Sequence, residues 1–263
     1  MCPYGKRLFA GDMPLETMKW VCHCLLIESP VGLVLVDTGF GTRDYADPHP
    51  RLGAAFVTLG RLKIDANETA LRQVEALGYS ARDVRHIVVT HLDPDHAGGL
   101  SDFPDAEVHV FRAEHKAAME RRSAIERERY RPVQWSHEPK WAIHDVEGDR
   151  WLRFESVRAI PGTEILLVPM IGHTRGHCAV AVESKDGWLL HAGDAYFDNR
   201  EMDYANPRCA PGLVGMQRML AVDNAARLAN QARLRELAHD YAGKVRVFCA
   251  HSDVELNAAR AAA

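Results

Sequence analysis

Four side chains that can bind a metal ion lie within six residues of one another in the first half of the chain. They are His91, Asp93, Asp95 and His96. Imidazole nitrogens and carboxylate oxygens together suit a borderline divalent cation such as zinc, iron or manganese. Pro94 stiffens the turn between them, and the preceding apolar run, 87–90, has the composition of a buried strand. A polar loop that faces water is the alternative for this stretch taken alone.

Three later stretches repeat the pattern of a histidine or aspartate after an apolar, strand-like run. The runs are predicted at 165–169, 188–192 and 245–250, and the polar residues that follow them include His173, Asp194 and His251. One such residue is a weak signal, because a strand-end histidine commonly bonds to the backbone. Four strand ends that deliver histidine or aspartate together indicate one shared metal centre.

Two further polar residues are predicted to support this centre without binding metal directly. Asp37 ends the second strand of a predicted hairpin, 21–27 and 31–36, and we expect its carboxylate to orient a metal-bound histidine. A turn-capping role is the alternative for Asp37. His177 is expected to orient the site through its ring N–H and not to serve as a further ligand.

Strands and helices alternate along the rest of the chain. Further strands are predicted at 107–111 and 178–183, and helices at 67–77, 112–129 and 216–241. Because charges of both signs interleave along 112–129, we interpret this helix as a solvated face. Residues 40–64 are predicted to be a loop. The aromatic segment 130–154 is either a plug between layers or part of a substrate pocket.

Composition and charge bound the class of protein. The chain has 263 residues, of which 47% are hydrophobic and 26% charged, and its net charge is −4. These values are ordinary for a globular protein and predict no nucleic-acid or membrane partner. We expect a single domain over 1–263.

The cellular compartment is predicted from three features of the sequence. The six cysteines include no CxxC pair, there is no signal-peptide pattern, and no apolar stretch reaches about 20 residues. These features favour a cytoplasmic protein with reduced thiols.

The ordered set of motifs resembles the metallo-β-lactamase superfamily of metallohydrolases. HxDxDHxGG at 91–99, GHTxGH at 172–177, the Gly-Asp pair that contains Asp194 and the late His251 follow one another in the same order, and the match extends from Asp37 to His251. The resemblance implies an α/β fold, an αββα sandwich of two mixed β-sheets flanked by helices, with the metals at one edge of the sheets.

The same resemblance implies two divalent metal ions, with zinc favoured and iron or manganese left open. One ion would be held by His91, Asp93 and His173, and the other by Asp95, His96 and His251. Asp194 would bridge the two ions, with a hydroxide as the second bridge. The commonest family pattern, HxHxDH, has histidine where Asp93 stands, so the first site is more anionic here.

Two residues are expected to take part in the reaction. Asp95 is expected to accept a proton while it remains a ligand. Tyr196 is expected to donate a hydrogen bond to the carbonyl or leaving-group oxygen of the substrate, and a tyrosine at the edge of the core is the alternative. Lactonases of the superfamily carry a tyrosine three residues past the bridging aspartate, whereas Tyr196 follows Asp194 by two.

Within the superfamily the chain looks most like the N-acyl-homoserine-lactone lactonases, because of its single-domain length, its Asp37-Thr38-Gly39 turn and the tyrosine after Asp194. We therefore expect a hydrolase of a lactone or another carboxylic ester, with a small molecule as its partner and a homodimer left open. A hydrolase of thioesters, β-lactams or phosphodiesters is one alternative. A metal-stabilised binding protein without turnover is another.

Overall fold

The computed structural model describes residues 19–262 of the chain. Clear periodicity is absent from the sequence of the first twenty residues, and 1–18 of them lie outside this range. Within it, no helix is both long enough and apolar enough to cross a membrane.

Five strands form the first sheet, in the order β1-β2-β3-β4-β5. They are β1 (Leu25–Ser29), β2 (Gly32–Val36), β3 (Val84–Val88), β4 (Glu107–Phe111) and β5 (Lys140–His144). β1 and β2 form an antiparallel hairpin, as predicted, although its first strand begins four residues later than expected. The hairpin turn includes Gly32, whose φ of 109° favours glycine. β2 to β5 run parallel to one another.

A short ribbon and a second five-stranded sheet follow. The ribbon pairs β6 (Arg150–Trp151) with β7 (Phe154–Glu155). The second sheet has the order β12-β11-β10-β9-β8 and contains β8 (Val157–Arg158), β9 (Ile165–Pro169), β10 (Cys178–Ser184), β11 (Gly187–His191) and β12 (Val245–Phe248). Its neighbouring strands are antiparallel except β11 and β12, which run parallel. Both sheets are therefore mixed.

The alternation of side chains along the strands shows how the two sheets pack. Successive residues of a strand point to opposite faces. Val34 of β2 and Leu167 of β9 belong to one buried cluster, so these faces of the two sheets meet. Leu35 packs into a separate cluster with Val74 from a helix, and Leu166 packs into a third with helical residues. The order of layers is helix, sheet, sheet, helix, which confirms the predicted αββα sandwich.

Ten α-helices are described within residues 19–262. They are α1 (Thr42–Ala46), α2 (Pro48–Leu52), α3 (Ala54–Gly60), α4 (Ala70–Ala76), α5 (Pro94–Ala97), α6 (Arg112–Glu120), α7 (Ala124–Arg129), α8 (Pro211–Leu220), α9 (Asn224–Asp240) and α10 (Asp253–Ala262). The segment 40–64, predicted to be a loop, contains α1 to α3. The segment 130–154 contains β5, β6 and the first residue of β7, so about a third of it is sheet.

Two helices predicted as continuous are each broken in the structure. The segment 112–129 divides into α6 and α7 at Arg121, whose φ of 45° is left-handed and ends a helix. The segment 216–241 divides at 221–223, where the Asp223 carboxylate caps α9 by accepting from the amide of Ala226. The amides of Val222 and Asp223 donate to the carbonyls of His173 and Gly172, so this break contacts a loop of the predicted metal centre.

The loops with the predicted ligands all leave the same edge of the sandwich. β2 and β3 are parallel, so Asp37 and His91 follow the same ends of the first sheet. In the second sheet β9, β11 and β12 share one direction, because β10 between β9 and β11 is antiparallel to both. His173, Asp194 and His251 follow these three strands.

Candidate metal centre

The structure brings together all seven predicted metal-binding side chains at this edge, and they divide into two sets around Asp194. In the first set, His173 Nε2 lies 3.1 Å from Asp93 Oδ2 and 3.4 Å from Asp194 Oδ2. His91 Nε2 lies 3.5 Å from the same oxygen of Asp93 and 3.8 Å from that of Asp194. Two imidazoles and two carboxylates thus face one small volume.

The second set uses the other oxygen of the Asp194 carboxylate. Asp194 Oδ1 lies 3.1 Å from His251 Nε2 and 3.2 Å from His96 Nε2. His251 Nε2 also lies 3.5 Å from Asp95 Oδ2. Asp194 therefore presents one oxygen to each set, the arrangement expected of a bridging carboxylate.

The buried polar atoms of the centre lack the partners that burial normally requires. His91 Nε2, His96 Nε2 and Asp194 Oδ1 have no hydrogen-bond partner among the described residues. An unpaired buried polar atom costs free energy, and a bound cation would satisfy all three. The side chains of Asp93 and Asp95 are 14% and 9% exposed, against at most 4% for the other five. The centre therefore opens to solvent on the side of these two carboxylates.

Asp37 orients a histidine of the centre, as the sequence predicts. Its Oδ2 lies 2.8 Å from His96 Nδ1, so that ring nitrogen is held while Nε2 faces the cluster. Both Asp37 oxygens also accept from Thr90, at 2.7 Å from the amide and 2.8 Å from the hydroxyl. These bonds hold Asp37 at a φ of 54°, which a non-glycine residue rarely adopts.

His177 contacts the backbone on both sides of its ring. Its Nδ1 lies 2.8 Å from the carbonyl of Met170, and its Nε2 accepts from the amide of Asp194 at 2.9 Å. Because a ring nitrogen that accepts an N–H carries no proton, the ring is neutral and Nδ1–H donates to Met170. Burial and the neighbouring His91 and His173 hold the pKa of His177 well below its ordinary value, consistent with this tautomer. His177 therefore positions the backbone of Asp194 and is not part of the ligand cluster.

Comparison with known proteins identifies the family. The sequence model of the metallo-β-lactamase superfamily matches residues 18–238, most of the chain. The chain belongs to this superfamily. A probable metallo-hydrolase of Mycobacterium tuberculosis is 43% identical over 247 residues, covering 93% of this chain and 79% of that protein. The chain is accordingly a metal-binding hydrolase.

More distant relatives narrow the comparison to one branch of the superfamily. An N-acyl homoserine lactonase of Bacillus cereus is 26% identical over 208 residues, which cover 78% of this chain and 74% of that protein. A solved N-acyl homoserine lactone hydrolase, with the product N-hexanoyl-L-homoserine bound at its catalytic metal centre, superposes with a TM-score of 0.72. The superposition covers 98% of this chain and 91% of the lactone hydrolase, and the two sequences are 22% identical. This superfamily member is thus related to lactonases by sequence and shares their fold.

A buried glutamate that the sequence analysis did not single out ties two ligand loops together. Glu114 of α6 is fully buried, and its Oε1 accepts from the amide of Leu92 at 3.0 Å and from the hydroxyl of Tyr130 at 3.0 Å. Its Oε2 accepts from the Thr174 hydroxyl at 2.6 Å and from the Gly176 amide at 3.0 Å. One carboxylate therefore joins the loop of His91 to the loop of His173.

The same contact explains the second glycine of the GHTxGH motif. A Cβ at Gly176 would lie 2.2 Å from the backbone nitrogen of Glu114, so only glycine allows the loop this close to α6.

A buried arginine stands behind the aspartate that departs from the commonest family pattern. Arg129 of α7 donates to the carbonyls of His173 at 2.9 Å and Leu220 at 2.6 Å, and its Nε lies 3.4 Å from Asp93 Oδ1. Burial raises the pKa of Asp93, but Arg129, and then His91 and His173, lower it by more. The pKa of Asp93 is therefore well below its ordinary value. The interpretation of 112–129 as a solvated face is therefore wrong for Glu114 and Arg129.

Opposite charges within the centre shift the pKa values of its histidines and aspartates. Burial opposes the charged form of Asp194, but His251, His96 and His173 hold its pKa well below the ordinary value. Burial likewise opposes the charged form of His96, yet Asp194, Asp95 and Asp37 raise its pKa well above the ordinary value. The carboxylates thus form an anionic pocket that protons balance and that divalent cations can balance instead.

The structure places Tyr196 in the core, away from the role expected for it. Its side chain is fully buried in the cluster that joins the second sheet to α9. Its hydroxyl donates to Glu255 Oε1 at 2.9 Å, and Glu255 Oε2 accepts from the amide of Cys249 at 2.8 Å. Glu255 of α10 thus joins Tyr196 to the end of β12, and the alternative of a core tyrosine is the one that the structure favours.

Proposed function

We propose that the protein is a dinuclear metal-dependent hydrolase of lactones, of the N-acyl-homoserine-lactone type, or of other small carboxylic esters. The observation that supports two ions is the position of Asp194, which presents Oδ2 to one imidazole pair and Oδ1 to another within 3.1 to 3.8 Å. A single-ion centre would need only one of these sets.

The donor set fits two ions of the zinc type. His91, Asp93 and His173 would hold one ion, and Asp95, His96 and His251 the other, with Asp194 shared between them. Each set supplies two imidazole nitrogens and two carboxylate oxygens when Asp194 is counted, which zinc accepts readily, and a five-coordinate ion would have one further position for water or substrate. The additional carboxylate of Asp93 makes the first site harder and more anionic, which by itself favours iron or manganese. Arg129, whose Nε lies 3.4 Å from Asp93 Oδ1, offsets the added charge, and zinc accepts the remaining mixture of imidazole and carboxylate donors, so we favour zinc.

Residues of the chain would accept the proton from the attacking water and hold the donor groups in position. Two divalent ions held by these residues would supply a water of near-neutral pKa and polarisation of a carbonyl oxygen. Asp95 lies at the open side of the centre. We assign its carboxylate to take up the proton released as the water oxygen bonds to the carbonyl carbon, and to return it to the leaving oxygen as the acyl C–O bond breaks. Asp37 and His177 hold the His96 ring and the Asp194 backbone, so the donors need no rearrangement when the substrate binds.

Sequence relationship supports the lactone as substrate class. N-acyl homoserine lactonases are related to this chain over most of its length. A lactone also offers what the centre requires, a carbonyl carbon for attack and a ring oxygen that stays attached to the product. We assign no role to Tyr196 in this reaction.

The test is hydrolysis of a substrate panel by the zinc-loaded protein. The panel contains N-acyl homoserine lactones, aryl esters, a thioester, a β-lactam and a phosphodiester. We expect turnover of lactones or esters, and a loss of about 1000-fold or more, roughly 4 kcal/mol of barrier, in Asp194→Asn. Asp186→Asn, in the exposed β10–β11 turn, is the matched control and should retain the wild-type rate.

Turnover of the thioester, β-lactam or phosphodiester alone would replace the proposed substrate class. Failure to hydrolyse any member of the panel, with two metal ions bound per chain, would favour a binding protein instead.

A further inference from the structure

Three histidines on neighbouring strands of the first sheet contact one another in a row, separate from the ligand loops. His86 Nδ1 of β3 lies 3.0 Å from His109 Nε2 of β4, and His109 Nδ1 lies 3.0 Å from His144 Nε2 of β5. Glu107, two residues before His109, places its Oε2 3.6 Å from His86 Nδ1 and 3.7 Å from His109 Nε2. We refer to His86, Glu107 and His109 as the mid-sheet cluster.

Strand register puts the mid-sheet cluster on the face between the two sheets. His86 pairs with Glu107, and His109 is on the same face as Glu107 because it is two residues further along β4. Phe111 shares that face and belongs to the core between the sheets. His86 lies within β3, whereas His91 follows its end, and the cluster shares no donor with the strand-end centre, so the two sites are separate.

The three donor atoms have the spacing of a metal site. Zinc–nitrogen bonds of about 2.0–2.1 Å in a tetrahedron give donor–donor distances of about 3.3–3.4 Å. The observed distances of 3.0, 3.6 and 3.7 Å bracket this value. Two imidazoles and one carboxylate are also a donor set that binds zinc.

We propose that His86, Glu107 and His109 bind a divalent cation of the zinc type, independently of the centre at the strand ends. The Glu107 side chain is 49% exposed and that of His86 19%, so the cation has a route from solvent and a water molecule can complete the site. The bound cation would join β3, which leads to His91, to β4, which leads to Glu114.

Hydrogen bonding supports this assignment. With His109 Nε2 as a ligand, its Nδ1–H is left to donate to His144, which fixes the ring in the way that outer-shell partners of metal-bound histidines do.

The experiment is a Zn²⁺ titration of tag-free protein whose strand-end centre is already loaded, against a competing chelator of known affinity. We expect the wild type to bind one equivalent more than His86→Gln or Glu107→Gln. Both positions are partly exposed, so these variants should fold. His49→Gln, on the exposed surface of α2, is the matched control and should bind as the wild type does.

A second variant separates a metal site from adventitious surface binding. His144→Phe removes only the acceptor for His109 Nδ1–H, and we expect it to retain the additional equivalent with about tenfold weaker affinity. Equal stoichiometry in wild type, His86→Gln and Glu107→Gln would show that the histidines form a hydrogen-bonded link between strands and bind no metal. Because the readout is the difference between variants, it does not depend on how many ions the strand-end centre holds.

Discussion

The strand-end centre and the mid-sheet cluster use the same donor types but are built differently. The donors of the centre come from several loops of both sheets, and other buried charged groups, Asp37, Glu114 and Arg129, hold those loops. The donors of the mid-sheet cluster lie on two adjacent strands, where the parallel ladder already fixes their spacing.

This difference shows where a metal site needs support from outside its ligands. Loops lack the backbone hydrogen bonds that hold neighbouring strands together. The carboxylate of Glu114 and the guanidinium of Arg129 hold the loops instead. These two residues lie far from any metal-binding motif in the sequence, yet they contact three of the loops or helix ends around the centre. We therefore expect substitutions of the supporting residues to affect the centre strongly and the mid-sheet cluster little.

The largest effect is expected when the Asp93 carboxylate, which pairs with the Arg129 guanidinium, is removed. Asp93→His leaves the buried Arg129 cation without its counter-ion and next to a metal ion, so we expect a loss of roughly 3–5 kcal/mol in unfolding free energy and weaker metal binding. Adding Arg129→Gln should restore at least half of the loss. Urea denaturation and metal analysis of the two single variants and the double variant measure this coupling. Strictly additive effects would show that the two side chains act independently.

The next largest effect is expected at Glu114. Glu114→Gln places an amide NH₂ among four hydrogen-bond donors and should lower the unfolding free energy by about 2–3 kcal/mol. Glu120→Gln, at the exposed end of the same helix, should change it by less than about 0.5 kcal/mol. Denaturant unfolding of both variants checks this prediction, and similar values for the two would remove Glu114 from the support of the centre.

The smallest effect concerns a buried histidine outside both regions. Burial, and then His191 and Arg260, lower the pKa of His23 to about 3. The unfolded chain binds this proton near pH 6.5 and the folded chain does not, so His23 makes stability fall as pH decreases from 6.5 toward 3. In His23→Phe we expect the loss between pH 7 and pH 5 to be smaller by about 1–2 kcal/mol. An unchanged pH slope, measured by denaturation at each pH, would mean that His23 is protonated in the folded protein.

The sequence predicted those features that depend on local pattern. Strand-end histidines and aspartates are recognisable because each follows an apolar run, and their order is specific to one superfamily. The strand at 165–169 was predicted with its observed bounds because its apolar run is continuous, and the strand at 107–111 because polar and apolar residues alternate along it.

Apart from the convergence of the ligands and the contact of Asp37 with His96, features that depend on which segments meet in space were not predicted. Glu114 and Arg129 look like any other charges in a mixed helix until α6 and α7 are packed against the ligand loops. The helix break at 221–223 likewise depends on contacts with a distant segment, the loop of His173. The mid-sheet cluster depends on strand register, because its members are separated by at least twenty residues except Glu107 and His109.

Anomalous diffraction at the zinc edge, from crystals of zinc-loaded protein, tests the central claim most directly. We expect two peaks roughly 3.5–4 Å apart at the edge of the sandwich, one beside each oxygen of the Asp194 carboxylate. A single peak at this position, or none with zinc bound elsewhere, would contradict the dinuclear centre on which the proposed reaction depends.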